Sequence, residues 1–230
     1  MIDIHCHLLP YVDDGANDLD EAKQLLLSEA EQGVTDLCFT PHLRAGMFET
    51  PDEKIRFQFD RLVPVAKELG LRVCVSREYH CDELLWEKLD AGTVLPIGAG
   101  VILTEFSSAH GAEHMKSAVK RIREYGFTPL VAHVERYPAS DADLIRELRS
   151  AGALIQINAD AVLGYDGRFV KKFAWELLGS DLADVVASDA HGTFDRPVRM
   201  RECMAAITKK MGKEPAEKVM LLNPNKIIKG

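Results

Sequence analysis

Cysteine is scarce in this chain: five residues in 230, odd in number, scattered, with no CxxC pair. That argues against a disulfide framework and against a thiolate zinc knot, and it fits a reducing, cytoplasmic setting. Excess positive charge is missing too. Twenty-eight Lys and Arg against 36 Asp and Glu leave a net charge of -8, which disfavours nonspecific nucleic-acid binding. No apolar run approaches the ~18 residues a transmembrane helix needs. The opening MIDIHCHLLP has no basic n-region and no long apolar core, so no signal peptide is expected there. The glycine-rich loops GxGxxG and GxxxxGKS/T, which cradle nucleotide phosphates, do not occur. Internal repeats, low-complexity segments and linkers are also lacking, so one domain over residues 1–230 is expected.

What is present is alternation. Short apolar runs read as strands at 2–6, 36–40, 72–76, 101–105, 129–133, 154–157 and 185–188. Amphipathic stretches between them read as helices. One spans Leu19 to Gln32, with Asp18 and Glu21 as a capping box. A second starts at Thr50-Pro51-Asp52-Glu53 and is expected to kink or split at Pro64. Others cover 82–90, 111–125, 142–150 and 168–178, with one or two more after Pro197. Strands alternating with helices imply an α/β fold with parallel pairing through right-handed crossovers.

On that strand map the metal-capable residues fall in one kind of place. His5 and His7 end the first strand, and Asp14 lies in the loop after it. His42 follows the second, Glu78 the third; Glu105 ends the fourth and His133 the fifth. Asp189 and His191 follow the seventh. Parallel strands of a barrel end on one face, so nine candidates from six strands meet in one basin. A lone His at a strand end is more often a hydrogen-bonding residue. The repeated coincidence, and the His5-x-His7 and Asp189-x-His191 pairs, favour metal binding. Imidazole with carboxylate and no thiolate suits Mn, Fe or Zn. His80, His110 and His114 lie outside the pattern and read as solvent-facing. Cys38-x5-Arg44 has the spacing of cysteine-dependent tyrosine phosphatases, but Cys38 sits in the apolar run Leu37-Cys38-Phe39 with no glycine loop after it. A buried thiol there is a poor nucleophile.

Met1-Ile2-Asp3-Ile4-His5-Cys6-His7, Val12-Asp13-Asp14-Gly15 and Thr40-Pro41-His42 resemble the PHP (polymerase and histidinol phosphatase) superfamily. Ala132-His133-Val134-Glu135-Arg136-Tyr137, Gly152 to Asn158, Ala187-Ser188-Asp189-Ala190-His191 and Asn223-Pro224 are similar to its bacterial protein-tyrosine phosphatases of capsule and exopolysaccharide operons, the CpsB/CapC type. The resemblance runs end to end. It implies a distorted seven-stranded (β/α)7 TIM-like PHP barrel with two or three divalent metals, manganese ahead of iron or zinc. His5, His7, Glu78 and Asp189 would take one metal. Glu78, as a bridge, with Glu105 and His133 would take a second, and Asp14, His42 and His191 a third. Arg136 and Arg196 match the arginines that hold the substrate phosphate. Two stretches depart: Ser76 to His80 in place of Gly-x-Glu-Ile, and Ser107 to His110 after the fourth-strand Glu.

The implied activity is phosphotyrosine hydrolysis by a metal-bridging hydroxide. The implied partner is the tail of a capsule or exopolysaccharide-assembly tyrosine kinase, with no nucleic acid and no membrane insertion; a homo-oligomer is compatible. Three rivals stand beside it. A small phosphomonoester such as histidinol phosphate suits the same site, and a regulatory domain would keep the metals without turnover. An amidohydrolase would want a metal-bridging lysine after a middle strand, which none of the strand ends supplies.

Overall fold

The computed structural model describes residues 1–229. Its nine strands are β1 (Ile2–Cys6), β2 (Asp36–Phe39), β3 (His42–Leu43), β4 (Arg72–Val75), β5 (Glu78–His80), β6 (Val101–Glu105), β7 (Thr128–Val131), β8 (Leu154–Asn158) and β9 (Val185–Ala187). All seven expected strands are there. β3 and β5 are additional: each is the continuation of the strand before it, after a two-residue break.

Every named strand pair is parallel. One sheet has the order β1-β2-β4 and the other β3-β5-β6-β7-β8-β9. The breaks have local causes. Pro41 has no N–H for the ladder, and its carbonyl turns to accept from Glu78 N. After β4, Ser76 and Arg77 leave the ladder. Arg77, 1% exposed, reaches outward to the Asp52 carboxylate at 3.0 Å. At the other sheet edges, Cys6 and Ala190 make a parallel bridge between β1 and the segment after β9. His7 N donates to Ala190 O at 2.8 Å, and Asp189 N to His5 O at 2.9 Å.

Helices cover the outside: α1 (Leu19–Glu31), α2 (Asp52–Glu68), α3 (Glu83–Asp90), α4 (Ala112–Glu124), α5 (Ala142–Ser150), α6 (Ala159–Leu163), α7 (Arg168–Gly179), α8 (Met200–Met211), α9 (Lys213–Glu217) and α10 (Asn223–Lys229). A larger apolar cluster lies between helices and strands; a smaller one, with Ile2, Ile4, Cys38, Leu103, Leu130 and Val185, lies on the opposite strand face. Three expectations are corrected here. α2 runs unbroken through Pro64. Asp60, whose carbonyl loses its partner, and Pro64 are both exposed, while Ile55, Leu62 and Ala66 anchor the buried face on either side. Pro51 is the cap residue of α2 and not its first helical residue. The capping box of α1 is half formed. Asp18 accepts from Asp20 N and Glu21 N, but the Glu21 carboxylate goes to Asn17 N and to Thr193 N.

Candidate metal centre

The first two imidazoles owe their aim to an irregularity. β1 pairs Ile2 with Asp36 and Asp3 with Leu37, then slips so that Cys6 pairs with Phe39. Ile4 and His5 therefore oppose Cys38 alone. Such a bulge re-aims side chains: Ile4 packs in the smaller core with Cys38, and His5 Nε2 comes within 3.2 Å of Glu78 Oε2 and 3.3 Å of Asp189 Oδ1. Gly15 allows the next loop to close. A Cβ there would lie 1.9 Å from His7 O, so only glycine lets the Asp13-Asp14 segment fold against His7.

All nine sequence-derived candidates come together. His7 Nε2 lies 3.2 Å from Glu78 Oε2 and 3.6 Å from Asp189 Oδ1. His42 Nδ1 lies 3.1 Å from Glu78 Oε2 and 3.3 Å from Glu105 Oε1, and its Nε2 lies 3.5 Å from Asp14 Oδ1. His133 Nε2 is 2.9 Å from Glu78 Oε1, and His191 Nε2 is 3.6 Å from Asp14 Oδ1. Three tight groups result: His5, His7, Glu78 and Asp189; His7, Asp14, His42 and His191; and His42, Glu78 and Glu105. These groups differ in detail from the expected sets, and His7 joins Asp14, His42 and His191. His42 faces the Glu78–Glu105 pair as well as Asp14, while His133 meets Glu78 through its other oxygen.

Glu78 Oε2, Glu105 Oε1 and His42 Nδ1 are buried and make no hydrogen bond, despite these short approaches. They converge on shared centres and do not lie along one another's N–H axes. Buried polar atoms in that state want a further partner. Five imidazoles and four carboxylates without a thiolate suit a divalent cation. Electrostatics agree. Burial opposes charge on the His5 ring, but Glu78 and Asp189 outweigh it and hold its pKa up at about 9. His42 is pushed up to about 10, Glu78 and Glu105 overcoming burial. Burial likewise opposes charge on Glu78 and Asp189, yet nearby imidazoles, and for Asp189 also the arginines, hold both well below the usual carboxylate range. Burial, His7 and Arg196 bring His191 down to about 2, so its ring is neutral.

The arginines meet on one carboxylate. Arg136 Nη1 donates to Asp189 Oδ2 at 2.7 Å, and Arg196 Nη2 to Asp189 Oδ1 at 3.3 Å. Asp166 lies behind Arg136 at 3.4 Å. His133, Asp189 and Arg196 have left-handed backbone, with φ of 32°, 51° and 54°. Non-glycine residues in that region gather where function demands the turn.

The sequence reading missed the residues that orient the candidates. β8 supplies no ligand, but its Gln156 Oε1 accepts from His5 Nδ1 at 3.0 Å and from His133 N at 2.8 Å. Asn158 Nδ2 donates to Asp189 Oδ2 at 2.7 Å. Asp13 accepts from His7 Nδ1 at 2.8 Å and from His42 N at 3.0 Å. A partner on Nδ1 turns Nε2 of His5 and His7 toward the centre as the atom that would bind a cation. For Gln156 and Asn158 the signal in the sequence is their alternation, Gln-x-Asn, on an otherwise apolar strand. His80 is also corrected: it is buried in β5 at 6% exposure, its Nδ1 3.2 Å from Asp82. Strand alternation after Glu78 turns it inward. His114 is exposed and His110 half-buried. Cys38 lies in the core, and the neighbouring Cys74 thiol and burial push its pKa well up.

The family profile for capsular polysaccharide synthesis, CpsB/CapC, matches residues 1–229. The chain belongs to the CpsB/CapC family. It is 37% identical to the tyrosine-protein phosphatase CpsB of Streptococcus pneumoniae, over 99% of this chain and 98% of that one. The crystal structures of Bacillus subtilis YwqE and Streptococcus pneumoniae CpsB, described as metal-dependent tyrosine phosphatases, give a TM-score of 0.87 at 27% identity, covering 99% of this chain and 94% of that one. The histidinol phosphate phosphatase of Lactococcus lactis shares the fold, with a TM-score of 0.63 at 13% identity, covering 96% and 95%. The CpsB/CapC likeness thus runs over nearly the full chain.

Proposed function

We propose that this CpsB/CapC chain is a metal-dependent protein-tyrosine phosphatase whose centre is built by His5, His7, Asp14, His42, Glu78, Glu105, His133, Asp189 and His191. The observation that carries this reading is Asp189. Three imidazoles approach it and two guanidiniums bond to it. Phosphate-type donors thereby adjoin a metal-type donor set. The first ligand set is His5, His7, Glu78 and Asp189. Glu78, with Glu105 and His133, serves a second cation, and Asp14, His42 and His191 a third; manganese is the ion we assign. Divalent ions there would activate water and offset phosphate charge. Arg136 and Arg196 present forked donors to oxygens that gain charge as the ester breaks. Phenol, with a pKa of about 10, leaves without a strong general acid.

We further propose that the chain is one domain and that its two sheets form one distorted seven-stranded barrel of the PHP type. β2 with β3, and β4 with β5, then count as two interrupted strands. The Cys6–Ala190 bridge supports closure between β9 and β1. The substrate we assign is the tyrosine-phosphorylated tail of a capsule-assembly kinase, met in the cytoplasm. Among the described residues no helix is long and apolar enough to cross a membrane.

The test is turnover by manganese-loaded protein of a phosphotyrosine peptide beside histidinol phosphate. The peptide is expected to be the better substrate. Arg136→Ala and Arg196→Ala should each lower kcat/KM by about 10²–10³, the usual loss of one preorganised donor. Faster turnover of histidinol phosphate moves the assignment to a small-molecule phosphatase. Metal uptake without any hydrolysis moves it to a regulatory domain.

A further inference from the structure

Two exposed aromatic residues lie close in the chain to the groups that hold the arginine pair, and neither is part of the apolar core. Phe194 is 95% exposed. It sits between His191 and Arg196 on a loop that is held firmly. His191 N donates to Arg196 O at 3.0 Å, closing the loop at its base. The Glu21 carboxylate accepts from Thr193 N at 3.1 Å and from Thr193 Oγ1 at 3.3 Å. A tethered loop that projects a phenyl ring into solvent gains nothing from the ring in the free protein.

Tyr165, 59% exposed, is likewise held from its own backbone and by a neighbouring guanidinium. Its N–H donates to Asp160 O at 2.9 Å. The Arg199 guanidinium lies 3.8 Å from the centre of its ring, and Arg199 is itself fixed by both Asp160 oxygens at 2.8 and 2.6 Å. The next residue, Asp166, is the carboxylate behind Arg136. Arg136 and Arg196 share Asp189, so the guanidiniums are neighbours, with one aromatic residue beside each.

We infer that Phe194 and Tyr165 hold the phenyl ring of a phosphotyrosine whose phosphate lies on Arg136 and Arg196. The inference rests on the phosphotyrosine reading above. Charge complementarity fixes the occupant. A dianionic phosphate meets two guanidiniums, and an exposed aromatic residue lies near each in the chain, Phe194 two residues before Arg196 and Tyr165 next to the Asp166 that pairs with Arg136. An aryl ester offers a ring for offset or edge contact there, whereas an alkyl ester does not. The two residues thus set a preference for aryl over alkyl phosphoesters without touching phosphorus.

Non-hydrolysable probes separate this from turnover. Phenylphosphonate and methylphosphonate are compared as competitive inhibitors of the manganese-loaded enzyme, with 4-nitrophenyl phosphate as reporter. The wild type should prefer the phenyl compound. Phe194→Ala and Tyr165→Ala should each cut that preference about three- to tenfold, and Phe194→Trp should restore it. Phe57→Ala, which removes a similarly exposed phenylalanine on α2, should leave the preference as it was. Equal inhibition of the wild type by both probes overturns the inference but leaves the phosphatase reading, judged on peptide turnover, standing. An undiminished preference in both alanine variants, or a shift to smaller oligomers with no change in preference, also overturns it. Failure of the wild type to turn over any phosphotyrosine peptide removes the reading on which it rests.

Discussion

Gln156 touches two of the candidate ligands without being one. Its Oε1 fixes the His5 proton on Nδ1 and takes the N–H of His133, a residue in left-handed backbone. Its Nε2 donates to Asn158, which in turn holds Asp189. Gln156→Leu keeps the volume roughly but strands two buried donors, each costing about 1–3 kcal/mol. Metal affinity should fall about 10- to 100-fold, as expected when a partner that orients a ligand is lost. A chelator competition titration checks this. Wild-type affinity in Gln156→Leu would mean that packing alone orients His5. Asp13 has the same position behind His7.

At the scale of elements, α2 bears on how sequence signals compete. Pro64 predicts a break, and the helix carries on through it. The missing hydrogen bond is on the solvent side, where the Asp60 carbonyl is open to water, while the buried face of α2 stays anchored above and below. Pro64→Ala restores the bond and removes the ring clash without disturbing the core. It should stabilise the fold, by at most about 3 kcal/mol, the interior-helix difference between these residues. Thermal unfolding decides the sign, and a lowered Tm would show that Pro64 acts chiefly by restraining the unfolded chain. The interrupted strands teach a related lesson. A short, mainly apolar run announces β2 and β4, but β3 and β5 are too short to be announced by any pattern.

For the molecule as a whole, the centre makes metal binding and stability depend on pH. His5 and His42, held up at about 9 and about 10, are cations at neutral pH before a metal binds. A cation must displace those protons. Calorimetry at pH 7.5 in two buffers of different ionisation enthalpy should therefore find about two protons released per chain, one from each ring. Apparent affinity should rise with pH until about 10. No proton release would contradict the assignment of these rings as ligands. Without metal the same shifts bear on stability. A raised pKa stabilises fully below the ordinary value of 6.5 and is lost as pH climbs through the folded values of about 9 and 10. Glu78 and Asp189, held low, contribute above their ordinary values of 4.5 and 3.8 and lose that contribution only in strong acid. The metal-free protein should thus lose stability between about pH 6.5 and 10.

Sequence alone determined the seven principal strands, the parallel α/β class and the nine residues that meet. Each of these follows from local pattern: short β-branched runs, helix caps, and polar residues at successive strand ends that parallel pairing must bring to one face. Tertiary structure decided which atoms share a centre. The bulge that aims His5, the double-sided placement of His42 and the burial of His80 depend on how neighbouring strands approach. So does Gln156, which meets His5 across 151 positions of sequence. No local pattern records such a pairing, because a hydrogen bond between distant elements is set by their relative position to within a few tenths of an ångström, and that position is fixed only when the whole core packs.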